Sequence, residues 1–430
     1  MHSGITFGGK GLLFSLLLFF AAPAGFSSCM LLQEARPDLS NANTGPYLTS
    51  EQNLEAVKDL MEEGHPLYTS LLERLVTDAD RHLDVSPWSV THQTPPSPTE
   101  NPHDYVSIAR YVWQNTAGAF ETRDGQANPE VRNYDRDPLS LMAKALENLS
   151  LAYYYTGEQK YGRKAGELLR TWFLDEETRM TPHFRHAQFV PGQNEGGPQG
   201  IIEARDFISV IEAASLVYDS DGWSPGEHRE LKYWFYDFMR WVIRHYSTDA
   251  FLEYNVGTWI DAQKTIYALF TEQTHLLSAP KTILPVSKRL DTQISESGEQ
   301  LRELSRSNAQ DYTWFNLKAY IYQAEMRIHS GRLTDSQNIS LYSSAAGDEH
   351  GGRLVTALDW LLPYATGEKT WQDDHSSLSD FNTCRYIELY RPAALALGDE
   401  RYENVVRQLQ ENPRCRDIPT LLTHPPLDFR

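Results

Sequence analysis

The sequence predicts an all-α fold in which one helix hairpin follows another over residues 50–430. Apolar residues recur at roughly 3.6-residue spacing through most of the chain after residue 137, whereas the alternation typical of strands is nearly absent. A weak repeat, in which a helix ends at a glycine that an acidic residue and then an aromatic residue follow, occurs at 155–161, 365–371 and 396–402. Such helix pairs bury their apolar faces by stacking into a solenoid or by closing into a toroid.

The N-terminal 49 residues are predicted to lie outside this domain. Lys10 precedes an apolar run at 11–26 that is short for a membrane span and typical of a signal-peptide core, so residues 1–28 are interpreted as a signal peptide. Small residues before Cys29 resemble a bacterial lipoprotein cleavage box, which makes Cys29 a candidate lipid anchor; ordinary cleavage nearby is the alternative. Residues 29–49 are polar and are interpreted as a tether.

Because residues 1–28 are interpreted as a signal peptide, the protein is expected to be exported to the periplasm or the extracellular space, with a possible lipid anchor. No later apolar run is long enough to span a membrane. If Cys29 carries the lipid anchor, Cys384 and Cys415 remain as an even pair in an oxidising compartment, so a disulfide between them is predicted.

Helices are predicted in the following order. A helical run at 50–83 precedes a proline-rich loop at 86–100. Residues 101–137 show little periodicity, and 125–130 and 134–137 are interpreted as surface or cleft-lining loops. Pro138 begins a clear amphipathic helix that ends at Gly157, a residue suited to a left-handed cap. The remaining helices are predicted at 159–173, 201–218, 225–246, 256–271, 279–293, 312–330, 352–365, 377–397 and 400–410.

The formal net charge of −19 argues against nucleic acid as a partner, because phosphate neutralisation requires a basic surface. An anionic substrate is still compatible with this charge if a local cleft supplies Arg, Lys and amide groups. Aromatic residues make up 12% of the chain, which suits either a cleft that stacks sugar rings or a large core.

A glycine- and asparagine-rich loop at 193–200 is predicted to be exposed and mobile, and is a candidate lid. His183 and His186 precede this loop. Histidines in exposed loops are usually solvated, so a role in the site is the less favoured interpretation for both.

The stretch 253–263 combines several polar groups at the predicted start of a helix. Asn255 carries an amide that can donate hydrogen bonds to a carboxylate. Trp259 is predicted to pack. Glu253 and Asp261 could form an acid/base pair, although acidic residues are commonplace around a helix N-terminus.

A second set of residues lies at 303–317. Arg306 can bind a carboxylate in bidentate fashion and lower the pKa of the nearby Tyr312 phenol. The structural alternative, which the residues alone favour, is an ion pair of Arg306 with Glu303 or Asp311.

Taken together, these stretches resemble the alginate lyase family of α/α-toroid polysaccharide lyases over roughly residues 105–370. The residues that carry the resemblance are Asn128-Pro129-Glu130, the run at 161–175, Arg179-Met180, Ala187-Gln188, Pro191-Gly192, the run at 200–205, Asn255, Gly257-Thr258-Trp259, Asp261-Ala262-Gln263, the run at 303–306, Tyr312, Phe315-Asn316-Leu317 and the run at 358–368. The resemblance implies an incomplete α/α toroid, a barrel of helix hairpins.

The resemblance also implies β-elimination on an anionic, alginate-like polysaccharide without a metal or organic cofactor. Asn255 and Arg306 would neutralise the uronate carboxylate, and Tyr312 would transfer protons. The substrate-binding candidates that accompany them are Gln188, Arg205, Trp259, Tyr254, His183 and His186.

Two positions depart from the family pattern Asn-Asn-His-Gly-Thr-Trp, which here reads Tyr254-Asn255-Val256-Gly257-Thr258-Trp259. Val256 stands where that pattern has a histidine, and a valine neither titrates nor forms hydrogen bonds. Three hypotheses follow: a lyase that works through Tyr312, with His183 or His186 compensating or with altered uronate preference; an inactive polyuronate-binding relative; and an α/α-toroid glycoside hydrolase that uses Glu253 and Asp261.

Overall fold

A computed structural model describes residues 36–39, 44–92, 95–115, 117–278, 286–330, 341–342, 352–371 and 380–429. The chain divides into two units, Met1–Asp38 and Leu39–Arg430. The predicted signal peptide, Cys29 and much of the predicted tether lie outside the described residues. Leu39 and Tyr47 are each 1% exposed, so the domain includes residues that the sequence assigned to the tether. Within the described ranges, no helix has the length and apolar character needed to cross a membrane.

Helices dominate the described part of the second unit, which confirms the predicted all-α class. Their bounds are α1 Glu51–Glu62, α2 Pro66–Leu83, α3 Arg136–Thr156, α4 Gln159–Phe173, α5 Phe207–Leu216, α6 Pro225–His245, α7 Asn255–Phe270, α8 Val286–Gln293, α9 Leu301–Leu304, α10 Ala309–His329, α11 Arg353–Thr366, α12 Ile387–Leu397 and α13 Glu400–Gln410. The repeated glycines Gly157, Gly367 and Gly398 end α3, α11 and α12 with φ of 69°, 78° and 65°, the left-handed cap that the sequence predicts.

The core is organised around α7. Every residue of this helix except Val256 is buried, and the helix packs between α6 and α10. Since nearly all of its residues are buried, α7 lies in the interior of the domain. Phe173, Phe207 and Trp234 form part of an aromatic cluster nearby, with edge-to-face ring contacts at 4.7–5.6 Å.

In the described part of the chain, four short strands lie in regions for which the sequence analysis predicted no helix. β1 (Val106–Ile108) pairs in parallel with β4 (His186–Phe189), and β2 (Val112–Gln114) pairs antiparallel with β3 (Phe120–Thr122). Strands of three or four residues are too short to show alternation. The hairpin of β2 and β3, with its flanking residues at 111–125, is called the hairpin segment below.

Two predicted helices differ from the structure at their starts. The helix predicted at 201–218 begins as a 3₁₀ helix, Pro198–Asp206, before α5. The helix predicted at 377–397 begins as an α-helix only at Ile387, after the 3₁₀ turn Thr383–Tyr386, and residues 372–379 lie outside the described residues.

The predicted disulfide is present: Cys384 and Cys415 are bonded across a separation of 31 residues. Closing a loop of that length reduces the entropy of the unfolded chain, so Cys384→Ala with Cys415→Ala is expected to lower the free energy of unfolding by roughly 3–4 kcal/mol. Urea unfolding of both proteins measures this difference. An unchanged unfolding midpoint for the double variant would contradict it.

Candidate active site

Side chains of α8 hold the residues that precede α7 in place. Arg289 donates hydrogen bonds to the carbonyl oxygens of Phe251 and Leu252, both at 3.2 Å. Gln293 donates to the carbonyl oxygens of Leu252 and Tyr254, both at 3.0 Å. These bonds satisfy backbone acceptors that precede the helix, and they set the direction in which α7 begins.

Gly257 permits this close approach. A Cβ atom at this position would lie 2.2 Å from Nη1 of Arg289 and 2.4 Å from the carbonyl oxygen of Phe251. Any larger side chain would therefore push the buried arginine away from the loop. The glycine of the central motif thus has a packing role.

Asp261 is buried and paired with Arg289. Its side chain is 1% exposed and accepts a hydrogen bond from Nε of Arg289 at 2.6 Å. Glu253, by contrast, is largely exposed and lies 3.4 Å from Arg302. A buried, paired carboxylate cannot contact a glycosidic bond, so the structure gives no support to Glu253 and Asp261 as the two acids of a glycoside hydrolase.

Asn255 is buried at the first position of α7. Its backbone N–H and its Nδ2 donate to the two carboxylate oxygens of Glu303, at 2.9 and 2.8 Å. A side-chain amide carries two N–H bonds, so one remains for a substrate after Glu303 has taken the other. Glu303 therefore orients Asn255, a role that differs from the ion pair with Arg306 considered in the sequence analysis.

Arg306 binds a carboxylate from the hairpin segment. Its Nη2 lies 2.6 Å from Oδ1 of Asp124, its Nε lies 3.2 Å from both oxygens, and Ser307 N donates to Oδ2 at 3.1 Å. The hydrogen bonds from Arg306 lower the pKa of Asp124 to about 2. The predicted structural partners are wrong, because Glu303 binds Asn255 and Asp311 binds Arg385.

Arg306 and Tyr312 are in contact, as the sequence analysis anticipated. The guanidinium carbon lies 3.7 Å from the centre of the Tyr312 ring, and the Tyr312 hydroxyl donates to the hydroxyl of Tyr111 at 2.9 Å. The pKa of Tyr312 is nevertheless raised, because burial and the neighbouring Tyr111 outweigh the lowering by Arg306. The expectation of a lowered phenol pKa is therefore wrong for the resting site.

Asn255, Arg306 and Tyr312 thus form one connected group. Glu303 bonds Asn255 through its side chain and accepts from the Arg306 backbone N–H through its carbonyl oxygen, at 3.1 Å. Tyr111 and Asp124, which complete the group, were missed. Neither belongs to a periodic segment, and nothing in the local sequence shows that the hairpin segment reaches Arg306.

Gln188 and Arg205 are held in different settings. Gln188 adopts a φ of 52°, which is rare for residues other than glycine, and donates to the buried Glu203 at 3.1 Å. The guanidinium carbon of Arg205 lies 5.4 Å from the centre of the Phe315 ring, and Nη1 of Arg205 donates to the carbonyl oxygen of Ile202 at 2.9 Å. Arg205 remains a candidate for substrate binding, whereas the amide of Gln188 is held from within the fold.

Trp259 and Tyr254 differ sharply in exposure. Trp259 is 2% exposed and packs on Phe315 with ring centres 5.0 Å apart, so it is a core residue and cannot stack directly on a sugar. Tyr254 is 39% exposed, and its hydroxyl accepts from Arg302 at 2.6 Å. Only Tyr254 of the two presents a surface to a ligand.

His183 and His186 are not solvated. Their Nε2 atoms lie 3.3 and 3.6 Å from the two oxygens of Asp104, and His186 is 6% exposed. Nδ1 of His186 lies 2.9 Å from the carbonyl oxygen of Glu195, in the loop predicted to be a lid. A Cβ at Gly196 would lie 1.9 Å from the carbonyl oxygen of Arg185, so the loop is packed tightly at this glycine, whereas Gln193, Asn194 and Glu195 are exposed, as predicted.

Val256 is half-buried and packs against the core. It occupies the second position of α7, immediately after Asn255. His183 and His186, the two candidates for compensation, are both paired with Asp104.

The chain is similar to one described protein family. The family described as Alginate lyase matches residues 89–371. Comparison with curated protein sequences gives no match.

Solved structures of alginate lyases share the fold. An alginate lyase from Bacteroides ovatus is 29% identical, with 88% of this chain and 98% of that chain covered and a TM-score of 0.76. Alginate lyase A1-III from Sphingomonas species A1 is 14% identical, with 90% and 98% covered and a TM-score of 0.54. The predicted α/α toroid is confirmed by these likenesses.

Proposed function

This chain belongs to the alginate lyase family, and from that premise we propose that it cleaves a uronic-acid polysaccharide by β-elimination at the Asn255–Arg306–Tyr312 group. The observation that carries the proposal is the contact of Arg306 with both a carboxylate and the Tyr312 ring. The same arrangement suits a uronate, whose carboxylate lies next to the proton that must be removed.

Arg306 and Asn255 neutralise the carboxylate of the uronate in the proposed mechanism. The C5 proton of a uronate is weakly acidic while the neighbouring carboxylate is charged, and donors aimed at that carboxylate stabilise the negative charge that develops. Asp124 already binds Arg306 in the geometry that a uronate carboxylate would adopt, so the substrate must share or displace it.

Tyr312 supplies the proton transfers. In the proposed mechanism its phenolate, stabilised by the Arg306 cation, removes the C5 proton, and the resulting O–H protonates the departing O4 as the C4–O4 bond breaks. The departing O4 remains on the fragment from the non-reducing side, and the 4,5-double bond forms in the uronate that becomes the new non-reducing end of the other fragment. Tyr111 accepts from Tyr312 in the resting site and orients its hydroxyl.

The pH dependence of the rate follows from the raised pKa of Tyr312. Since only the phenolate can act as the base and its fraction rises with pH below that pKa, kcat/KM is expected to increase by about tenfold per pH unit above neutrality. Initial rates between pH 7 and pH 9 measure this slope. A plateau that begins near the pKa of histidine, about 6.5, would instead identify an imidazole base.

The product assay tests the proposed reaction. Incubation with alginate or glucuronan is expected to give oligosaccharides with ultraviolet-absorbing unsaturated ends. Binding of polyuronate without that absorbance would favour the inactive relative, for which Val256 is the motivating observation. New reducing ends without unsaturation would favour hydrolysis.

We also propose that the protein is exported, either free in the periplasm or anchored through Cys29. The Cys384–Cys415 disulfide supports export, because disulfides persist in oxidising compartments. Mass spectrometry of the mature N-terminus in fractionated bacteria tests both forms. A cytoplasmic chain that retains Met1 would contradict export, and a soluble chain cleaved away from Cys29 would contradict the anchor.

A further inference from the structure

Three metal-ligating side chains meet far from the proposed lyase site. Glu325 and His329 lie one helical turn apart on α10, and His424 follows the 3₁₀ helix Pro419–Leu422 near the C-terminus. Oε2 of Glu325 lies 3.0 Å from Nε2 of His329 and 3.3 Å from Nε2 of His424. One donor atom from each residue lies within 4.8 Å of the other two.

These separations suit a small divalent ion. With Zn–N and Zn–O bonds of about 2.1 Å, neighbouring ligands of a tetrahedral zinc ion lie about 3.4 Å apart. Two imidazoles and one carboxylate also form a ligand set that zinc favours among proteins. We propose that Glu325, His329 and His424 form a Zn²⁺ site that fastens the C-terminal segment to α10.

The surroundings orient two of the three ligands. Nδ1 of His424 lies 2.9 Å from Oγ1 of Thr423, and the Tyr342 hydroxyl donates to Oε1 of Glu325 at 3.3 Å. Partners of this kind fix the ring or carboxylate so that the remaining donor atom faces the metal. Glu325 and His424 are both buried, so the ligands are held by packing as well.

A cavity of about 380 Å³ adjoins the cluster and is lined by Glu325 and His424. Its other charged lining residues are Glu147, Glu212, Glu388, Lys144 and Lys318. Lys144 and Lys318 are paired with Glu147 and Glu388, each at 2.6 Å, so Glu325 and Glu212 are the lining carboxyl groups that have no ammonium partner among the lining residues. The cavity also leaves room for water as a fourth ligand beside the three side chains.

The cluster has a metal-free alternative, in which both histidines donate to the carboxylate. Burial raises the pKa of Glu325, but hydrogen bonds from His329 and His424 outweigh it and lower that pKa to about 2. A metal ion would replace the two Nε2 protons. The two forms therefore differ in whether the purified chain takes up metal.

The site is separate from the lyase chemistry. Residues 312 and 325 lie on the same helix, α10, and 13 residues at 1.5 Å each place them about 20 Å apart along its axis. The proposed ion therefore has no contact with the reacting sugar, and its effect is expected on stability rather than on the elimination step.

Metal counting on untagged protein tests the proposal. The full chain is stripped with a chelator, dialysed against micromolar ZnCl₂ and assayed by inductively coupled plasma mass spectrometry. About one zinc ion per chain is expected, together with a higher thermal midpoint than the stripped protein. His424→Ala and His329→Ala are each expected to weaken zinc binding by about 100-fold or more, measured by competition with a chromophoric chelator.

His245→Ala provides the matched control. His245 is exposed and its Nδ1 lies 2.8 Å from the Trp241 carbonyl oxygen of its own helix, so zinc binding should be unchanged. Wild-type protein that retains less than about 0.1 zinc ion per chain would overturn the site. So would a single bound ion that both His424→Ala and Glu325→Gln retain at full affinity, because the ion would then lie elsewhere.

Discussion

Tyr312→Phe is expected to lower kcat for elimination by about 10²–10⁴-fold, the range typical for loss of a group that transfers a proton. The substitution removes only the hydroxyl that donates to Tyr111, and the ring remains beneath Arg306. Since substrate binding does not depend on that oxygen, KM should change much less than kcat. Initial rates of unsaturated-product formation measure both constants.

Tyr154→Phe is the matched control for this experiment. It also removes a phenolic hydroxyl, one that donates to Glu55 at 2.7 Å on an exposed part of α3. The control should retain wild-type rates. Elimination at an undiminished rate in Tyr312→Phe would exclude the tyrosine mechanism and leave another base to be found.

Arg306→Ala is expected to lower kcat/KM by about 10²–10³-fold, because the developing charge on the uronate loses its closest cation. Arg306→Lys should restore only part of this loss, since an ammonium cannot form the bidentate contact that the guanidinium makes with Asp124. Arg353→Ala is the control, because it removes only a surface ion pair with Asp291 at 3.4 Å. It should leave kcat/KM unchanged.

Asp124→Asn separates the two roles of Arg306. It weakens the contact with the hairpin segment but leaves the guanidinium in place. If anchoring of the hairpin segment were the whole contribution of Arg306, Asp124→Asn would lose as much activity as Arg306→Ala. A much smaller loss in Asp124→Asn is expected, because the charge that faces the substrate is retained.

The helical fold could be predicted because its signals are local. Apolar spacing and the glycine caps at Gly157, Gly367 and Gly398 define helices without reference to the rest of the chain. The short strands were missed for the same reason: β1 and β4 lie about 80 residues apart and each is too short to carry a period.

The site was predictable only in part. Asn255, Arg306 and Tyr312 were identified through their resemblance to a family, and the structure joins them in one group. Their partners Tyr111 and Asp124 were not, because a contact across 182 residues leaves no pattern in either segment. Trp259 shows a second limit of the sequence analysis. A sequence pattern does not distinguish an aromatic residue that stacks on a sugar from one that fills the core.

That long-range contact between Asp124 and Arg306 has a consequence for biogenesis. The two segments are 182 residues apart, and contacts of such high sequence separation form slowly because loop closure costs entropy before they are made. A nascent chain that has emerged only as far as α7 therefore carries Asn255 but neither Arg306 nor Tyr312. The Asn255–Arg306–Tyr312 group is therefore complete only once α10 has docked on α7.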